Sequence, residues 1–160
     1  MGLCDINGNS ISINTSGSII TGQKICIIGD SNMQYSGNVV KEYLESNYGC
    51  TVSVLATAGS TWEINSSGDN YSGIGRVNSL IANADGETKL CSDYDKVIIM
   101  LGTNCNSEGE TTDTSEQTDT MCGAIRYCLE QLAYYYRKGK VGVILPPQRA
   151  DGNSWQEPRN

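Results

Sequence analysis

The chain of 160 residues is predicted to fold as one α/β domain, a parallel β-sheet with helices on both faces in three layers, α/β/α. Three observations predict it. Short apolar runs rich in β-branched residues recur at 24–28, 51–56, 96–101 and 141–145. Segments whose apolar residues follow helical spacing separate them. Each of the first three runs also ends in a small polar cluster: Gly29-Asp30-Ser31-Asn32, Ala58-Gly59-Ser60 and Gly102-Thr103-Asn104. An apolar run without alternation is a strand covered on both faces, and strands separated by helices pair in parallel. The length fits a single domain, and 38% hydrophobic residues are enough for a normal core.

Taken in order, residues 1–22 differ from the rest. Ile11, Ile13, Ile19 and Ile20 alternate with polar residues around a Ser-Gly turn, the pattern of a short β-hairpin or linker. A hairpin alone is marginal in water, so this leader is expected to pack on the domain at 23–160 or on a partner. Residues 24–28 form the first strand. Residues 38–47 have apolar positions at 39, 40, 43 and 44, which predicts a helix with Asn38 as N-cap and Gly49 as its stop. A second strand at 51–56, a polar loop and a short helix at 76–84 follow. The strand at 96–101 gives the strongest signal. An acidic, Thr-rich loop covers 106–119, and Asp119 or Thr120 caps a long helix running to about Arg137, with Gly139 beyond it. The fourth strand closes at Pro146-Pro147. This order predicts a flavodoxin-like arrangement, in which ligands bind beyond the carboxyl ends of the strands.

Charge and composition exclude several functions. The net charge is −7, and the 11 basic residues are scattered, so no basic stripe is available for a phosphate backbone. Neutral or sugar-like ligands fit better. No apolar run is long enough to span a bilayer, and the first ten residues carry no secretory signal pattern. Seven Cys occur without paired CxxC motifs or any His, which predicts no zinc site and mostly reduced, buried thiols made in a reducing compartment. The carboxylates of 113–119 are irregular and are expected in a solvated loop, not around a metal. Of the adjacent tyrosines 134–136, at least one is expected in the core. The Gly-rich stretch 68–75 lacks the strand-to-helix context of a phosphate loop. No cofactor is expected, although the loop through Tyr35-Ser36-Gly37-Asn38 leaves open a phosphate bound at a helix N-terminus, as in flavodoxin-like proteins.

The strand ends supply the chemistry. A serine nucleophile needs a tight turn that exposes its hydroxyl, followed by a helix whose N-terminus favours developing negative charge. Gly29 permits such a turn before Ser31. An oxyanion hole needs preorganised donors, which the backbone N–H groups of Ser31 and Gly59 and the side-chain amide of Asn104 can provide. Gly59, lacking a side chain, lets a substrate oxygen approach its N–H. Asp30, Asn32, Trp62, Thr103 and Cys105 are candidates to line the substrate cleft. As structural alternatives, Ser31 is a helix-entry residue and Asn104 a turn residue.

In type, order and spacing, Gly-Asp-Ser-Asn at 29–32, the Gly of Thr-Ala-Gly-Ser at 57–60, and Gly-Thr-Asn at 102–104 resemble the first three conserved blocks of the SGNH/GDSL hydrolases. The resemblance covers residues 24–147 and implies a serine esterase or acylhydrolase. Ser31 would be the nucleophile, Ser31, Gly59 and Asn104 would line the oxyanion hole, and the substrate would be an ester, often an acetyl group on a carbohydrate. Cys105 stands where that family commonly has Asp. The family's base comes from an Asp-x-x-His block near the C-terminus, and this sequence contains no His. The expectation is therefore a chain truncated before that block, weakly active or inactive as it stands. The alternative is a pseudoenzyme, a non-catalytic glycan-binding or attachment module. The leader suggests a domain of a longer multidomain protein, such as a surface or virion fibre component.

Overall fold

The computed structural model describes residues 20–82, 94–136 and 140–145. Its elements run β1 (Lys24–Gly29), α1 (Ser31–Tyr48), β2 (Thr51–Ala56), a 3₁₀ turn (Asp69–Tyr71), α2 (Gly73–Ala82), β3 (Lys96–Met100), α3 (Met121–Tyr135) and β4 (Lys140–Val143). The strands form one sheet in the order β2-β1-β3-β4, with every pairing parallel. This is the predicted three-layer α/β/α, flavodoxin-like architecture.

The continuous apolar run of β1 feeds two cores, because alternate residues point to opposite faces. Ile25 and Ile27 join Val52 and Met33 beneath α1, with Val40 and Leu44 of that helix packed against them. Cys26 and Ile28 join Val97, Ile99, Ile74, Val77, Ala124, Cys128 and Leu132 under α2 and α3. Burial pushes the Cys128 thiol up to about 12, so it packs as a small apolar group.

Helix α1 begins seven residues before the expected start at Asn38. Asp30 is the N-cap, its Oδ1 accepting from the Asn32 N–H at 2.9 Å. Packing overrides propensity across Tyr35-Ser36-Gly37. A Cβ on Gly37 would lie 2.7 Å from Val54 Cγ1, so only glycine lets the helix lie this close to β2. Asn38 is an exposed mid-helix residue. The helix ends as expected at Gly49, whose φ is +62° and whose N–H donates to the Glu45 carbonyl. Helix α2 starts at Gly73, three residues early, and the expected end at 84 lies outside the described residues. Of the two expected caps for α3, Thr120 is the one used, its Oγ1 accepting from the Gly123 N–H at 3.1 Å.

Asp113 departs from the solvated-loop expectation. It is buried, and accepts from Glu110 N–H at 3.1 Å, Gln117 Nε2 at 3.1 Å and Thr120 Oγ1 at 2.7 Å, so it organises the loop that delivers the cap of α3. Tyr136 is the core member of its triplet, its hydroxyl donating to the Tyr94 carbonyl, while Tyr134 is exposed. Strand β4 was expected to be covered on both faces, yet all its residues are exposed. It is the sheet's edge, and no described helix lies over it.

The leader lies almost wholly outside the described residues. Its last residues dock below the sheet, where Gly22 N–H donates to the Tyr48 carbonyl at 2.9 Å. Cys50, Cys105 and Cys128 are free thiols, while Cys4 and Cys91 lie outside the described residues. No described helix is long and apolar enough to cross a membrane.

Candidate functional site

The strand order fixes where a site can form. From β1 the chain crosses by α1 to β2 on one side, then returns by α2 to β3 on the other. The direction of travel reverses at β1, and in open α/β sheets this switch point, beyond the carboxyl ends of the strands, is where ligands bind. The three polar clusters all sit on this edge, with the Ser31 cluster in the middle.

Ser31 is the first residue of α1, half-buried. Neither its hydroxyl nor its N–H has a hydrogen-bond partner among the described residues. Its N–H is one of the free donors of a helix N-terminus, where the dipole favours negative charge. On the β2 side, Thr57 N–H donates to the Gly29 carbonyl at 3.1 Å, and Ser60 N–H closes a turn on the Thr57 carbonyl at 3.2 Å. Gly59 takes the third position of that turn with φ +80°, which a type II turn requires and side-chain-bearing residues resist. Gly59 is exposed and its N–H is unbonded among the described residues.

On the β3 side, Asn104 is half-buried, and its Nδ2 donates one hydrogen to the Ser60 carbonyl at 3.1 Å. This bond orients the amide and leaves a second hydrogen for a ligand. Two further bonds join the loops: Asn32 Nδ2 to Thr103 Oγ1 at 3.1 Å, and Ala58 N–H to Gln34 Oε1. The segments that carry Ser31, Gly59 and Asn104 are thus hydrogen-bonded to one another, with Asn32 and Thr103 at the seam.

The other three cleft candidates lie beneath the surface. Asp30 is fully buried; it caps α1 and its Oδ2 has no partner among the described residues. Trp62 is a core residue, 2% exposed, with Nε1 donating to the Leu101 carbonyl at 3.0 Å. Its ring is too large to leave in water when an apolar pocket and a carbonyl are both available. Cys105 is buried below Asn104, and its Sγ accepts from Trp62 N–H at 3.3 Å. Burial, with the Glu63 carboxylate beside it, pushes its thiol well above the usual range, so it is no nucleophile at neutral pH.

Two supporting residues were not singled out from the sequence. Buried Glu63 accepts from Asn106 N–H at 2.7 Å through Oε1 and so pins the loop after Asn104. Arg76 of α2 donates from Nη2 to Thr57 Oγ1 at 2.9 Å, bracing the turn that carries Gly59. Nothing in the sequence around Glu63 marks it, because its role depends on a contact 43 positions away. No group of metal-ligating side chains occurs among the described residues. No protein-family model and no curated protein sequence matches the chain.

Proposed function

We propose that this domain is a serine ester hydrolase of the SGNH/GDSL type, acting on O-acyl groups, with an acetylated carbohydrate as the favoured substrate class. The observation that carries the proposal is the placement of Ser31 at a helix N-terminus between Gly59 and Asn104. In the proposed reaction Ser31 Oγ attacks the ester carbonyl. The oxyanion receives hydrogen bonds from the N–H groups of Ser31 and Gly59 and from Asn104 Nδ2. The alcohol then leaves, and water releases the acyl group from Ser31.

This scheme needs a base for the Ser31 proton. The sequence has no His, and no described side chain accepts from Ser31, so turnover by this chain alone is expected to be low. The same observation favours a second reading, a glycan-binding module that keeps the fold and the donors without the chemistry.

Imidazole in solution can replace a missing histidine base. Hydrolysis of p-nitrophenyl acetate should therefore rise with added imidazole by more than imidazole itself contributes, and Ser31→Ala should remove that excess. If wild type and Ser31→Ala give the same rate at every imidazole concentration, the hydrolase proposal fails and the binding module remains.

A further inference from the structure

A guanidinium drawn partly out of water loses hydration that only acceptors or an anion can replace. Arg76 is in this position. It is half-buried, and burial lowers its pKa. Of its five N–H donors one is engaged, by the neutral hydroxyl of Thr57, and no carboxylate lies within ion-pair distance among the described residues. Carboxylates are not scarce in this chain, with 18 acidic residues against 11 basic ones. Arg76 also lies in the first helical turns of α2, the end at which the dipole disfavours a cation. Burial and helix position both oppose the charge, the Cys26 thiol offsets that only in part, and no carboxylate among the described residues compensates.

Its location shows where a compensating anion would lie. Thr57 accepts from Arg76 through its side chain and donates its N–H to Gly29, two residues before Ser31. Thr57 also opens the turn that presents Gly59. The guanidinium therefore stands on the β2 flank of the site, one residue removed from its backbone. Its unused N–H groups form a planar fork that matches the two oxygens of a carboxylate.

We propose that Arg76 binds a carboxylate of the substrate, so that the ester presented to Ser31 belongs to an acid-bearing molecule, such as the monoester of a dicarboxylic acid or an acylated acidic sugar. This deepens the hydrolase proposal and rests on its placement of the site at Ser31.

Two measurements keep the proposals separable. In the first, succinate is titrated into ¹⁵N-labelled protein without any ester. Saturable shifts of the Ser31 and Gly59 amides are expected in wild type, weaker by roughly tenfold or more in Arg76→Gln, the factor that loss of one charge-assisted hydrogen bond gives, and intermediate in Arg76→Lys. Amide spectra of both variants report whether each is folded, and either one suffices. In the second, the imidazole-dependent rate is compared between the mono-p-nitrophenyl ester of glutarate and p-nitrophenyl acetate. The charged ester should be preferred by wild type, with the preference falling towards unity in Arg76→Gln. Equal succinate binding by wild type and a folded Arg76 variant, or adventitious binding with no shift at Ser31 and Gly59, overturns the assignment. Arg76-dependent succinate binding without Ser31-dependent hydrolysis would sustain Arg76 while sinking the hydrolase.

Discussion

At the residue scale, the site is a set of small side chains whose roles come from where the backbone holds them. Asn104 shows this. Its amide is fixed by the Ser60 carbonyl; in the proposed hydrolase it would meet an oxyanion already oriented, and removal of one such donor from a hydrolase costs roughly 10²–10³ in rate. Asn104→Ala should reduce the imidazole-dependent, Ser31-dependent rate by about that factor while the amide spectrum stays native; an unchanged rate would remove Asn104 from the oxyanion hole. These site residues were legible in the sequence because Gly and small polar groups after apolar strands are a local signal. Trp62 and Cys105 were misplaced because sequence distance from Gly59 and Asn104 says nothing of which way a side chain turns. The Trp62 indole turned inward, where the Leu101 carbonyl takes its N–H. Arg76 and Glu63 gave no signal, since their partners lie 19 and 43 positions away.

At the element scale, the strands and the start of α3 were predicted closely and the starts of α1 and α2 poorly, for a physical reason. An apolar β-branched run marks a buried strand by itself, whereas α1 begins at a polar cap and crosses Gly37, which reads as a break. The glycine is there because β2 lies beneath it. Gly37→Ala should improve local helix propensity and still destabilise the domain, by about 1–3 kcal/mol as overpacking does, since its methyl meets Val54. Stabilisation in a denaturant titration would show that α1 does not rest on β2 as described. The loop before α3 depends on charge. The Thr120 hydroxyl, then the Glu110 N–H, hold the Asp113 carboxyl below its usual range. A depressed folded pKa gives stability that is present above the ordinary carboxylate range and is lost as pH falls through the lowered value. Thermal unfolding of wild type should therefore weaken at acid pH by more than that of Asp113→Asn, which should be the less stable of the two near neutrality. Parallel pH profiles for the two proteins would contradict this role for Asp113.

At the scale of the whole molecule, the sheet is well covered at its centre and, among the described residues, bare at one side. Strands β1 and β3 are packed on both faces, and β2 is covered by α1. Strand β4 pairs with β3 alone, in register from Lys96 with Lys140 to Ile99 with Val143. Because Val97 and Ile99 face α2 and α3, their partners Val141 and Val143 lie on the same side of the sheet, yet they are 37% and 42% exposed, and Leu145 is 83% exposed. Parallel sheets are stable when buried on both faces, and an open apolar edge is a template for pairing with another strand. Residues 141–145 carry no charge and no proline, so beyond Lys140 charge does little to blunt this edge. Dilute protein should be monomeric and should associate as concentration rises. Val143→Lys, which places a charge on the exposed edge without touching the core under β1, should delay that association by sedimentation velocity while leaving the unfolding midpoint nearly unchanged. A wild-type chain that stays monomeric at millimolar concentration would mean that the β4 edge is shielded, and the exposure of Val141, Val143 and Leu145 would then have no consequence for solubility.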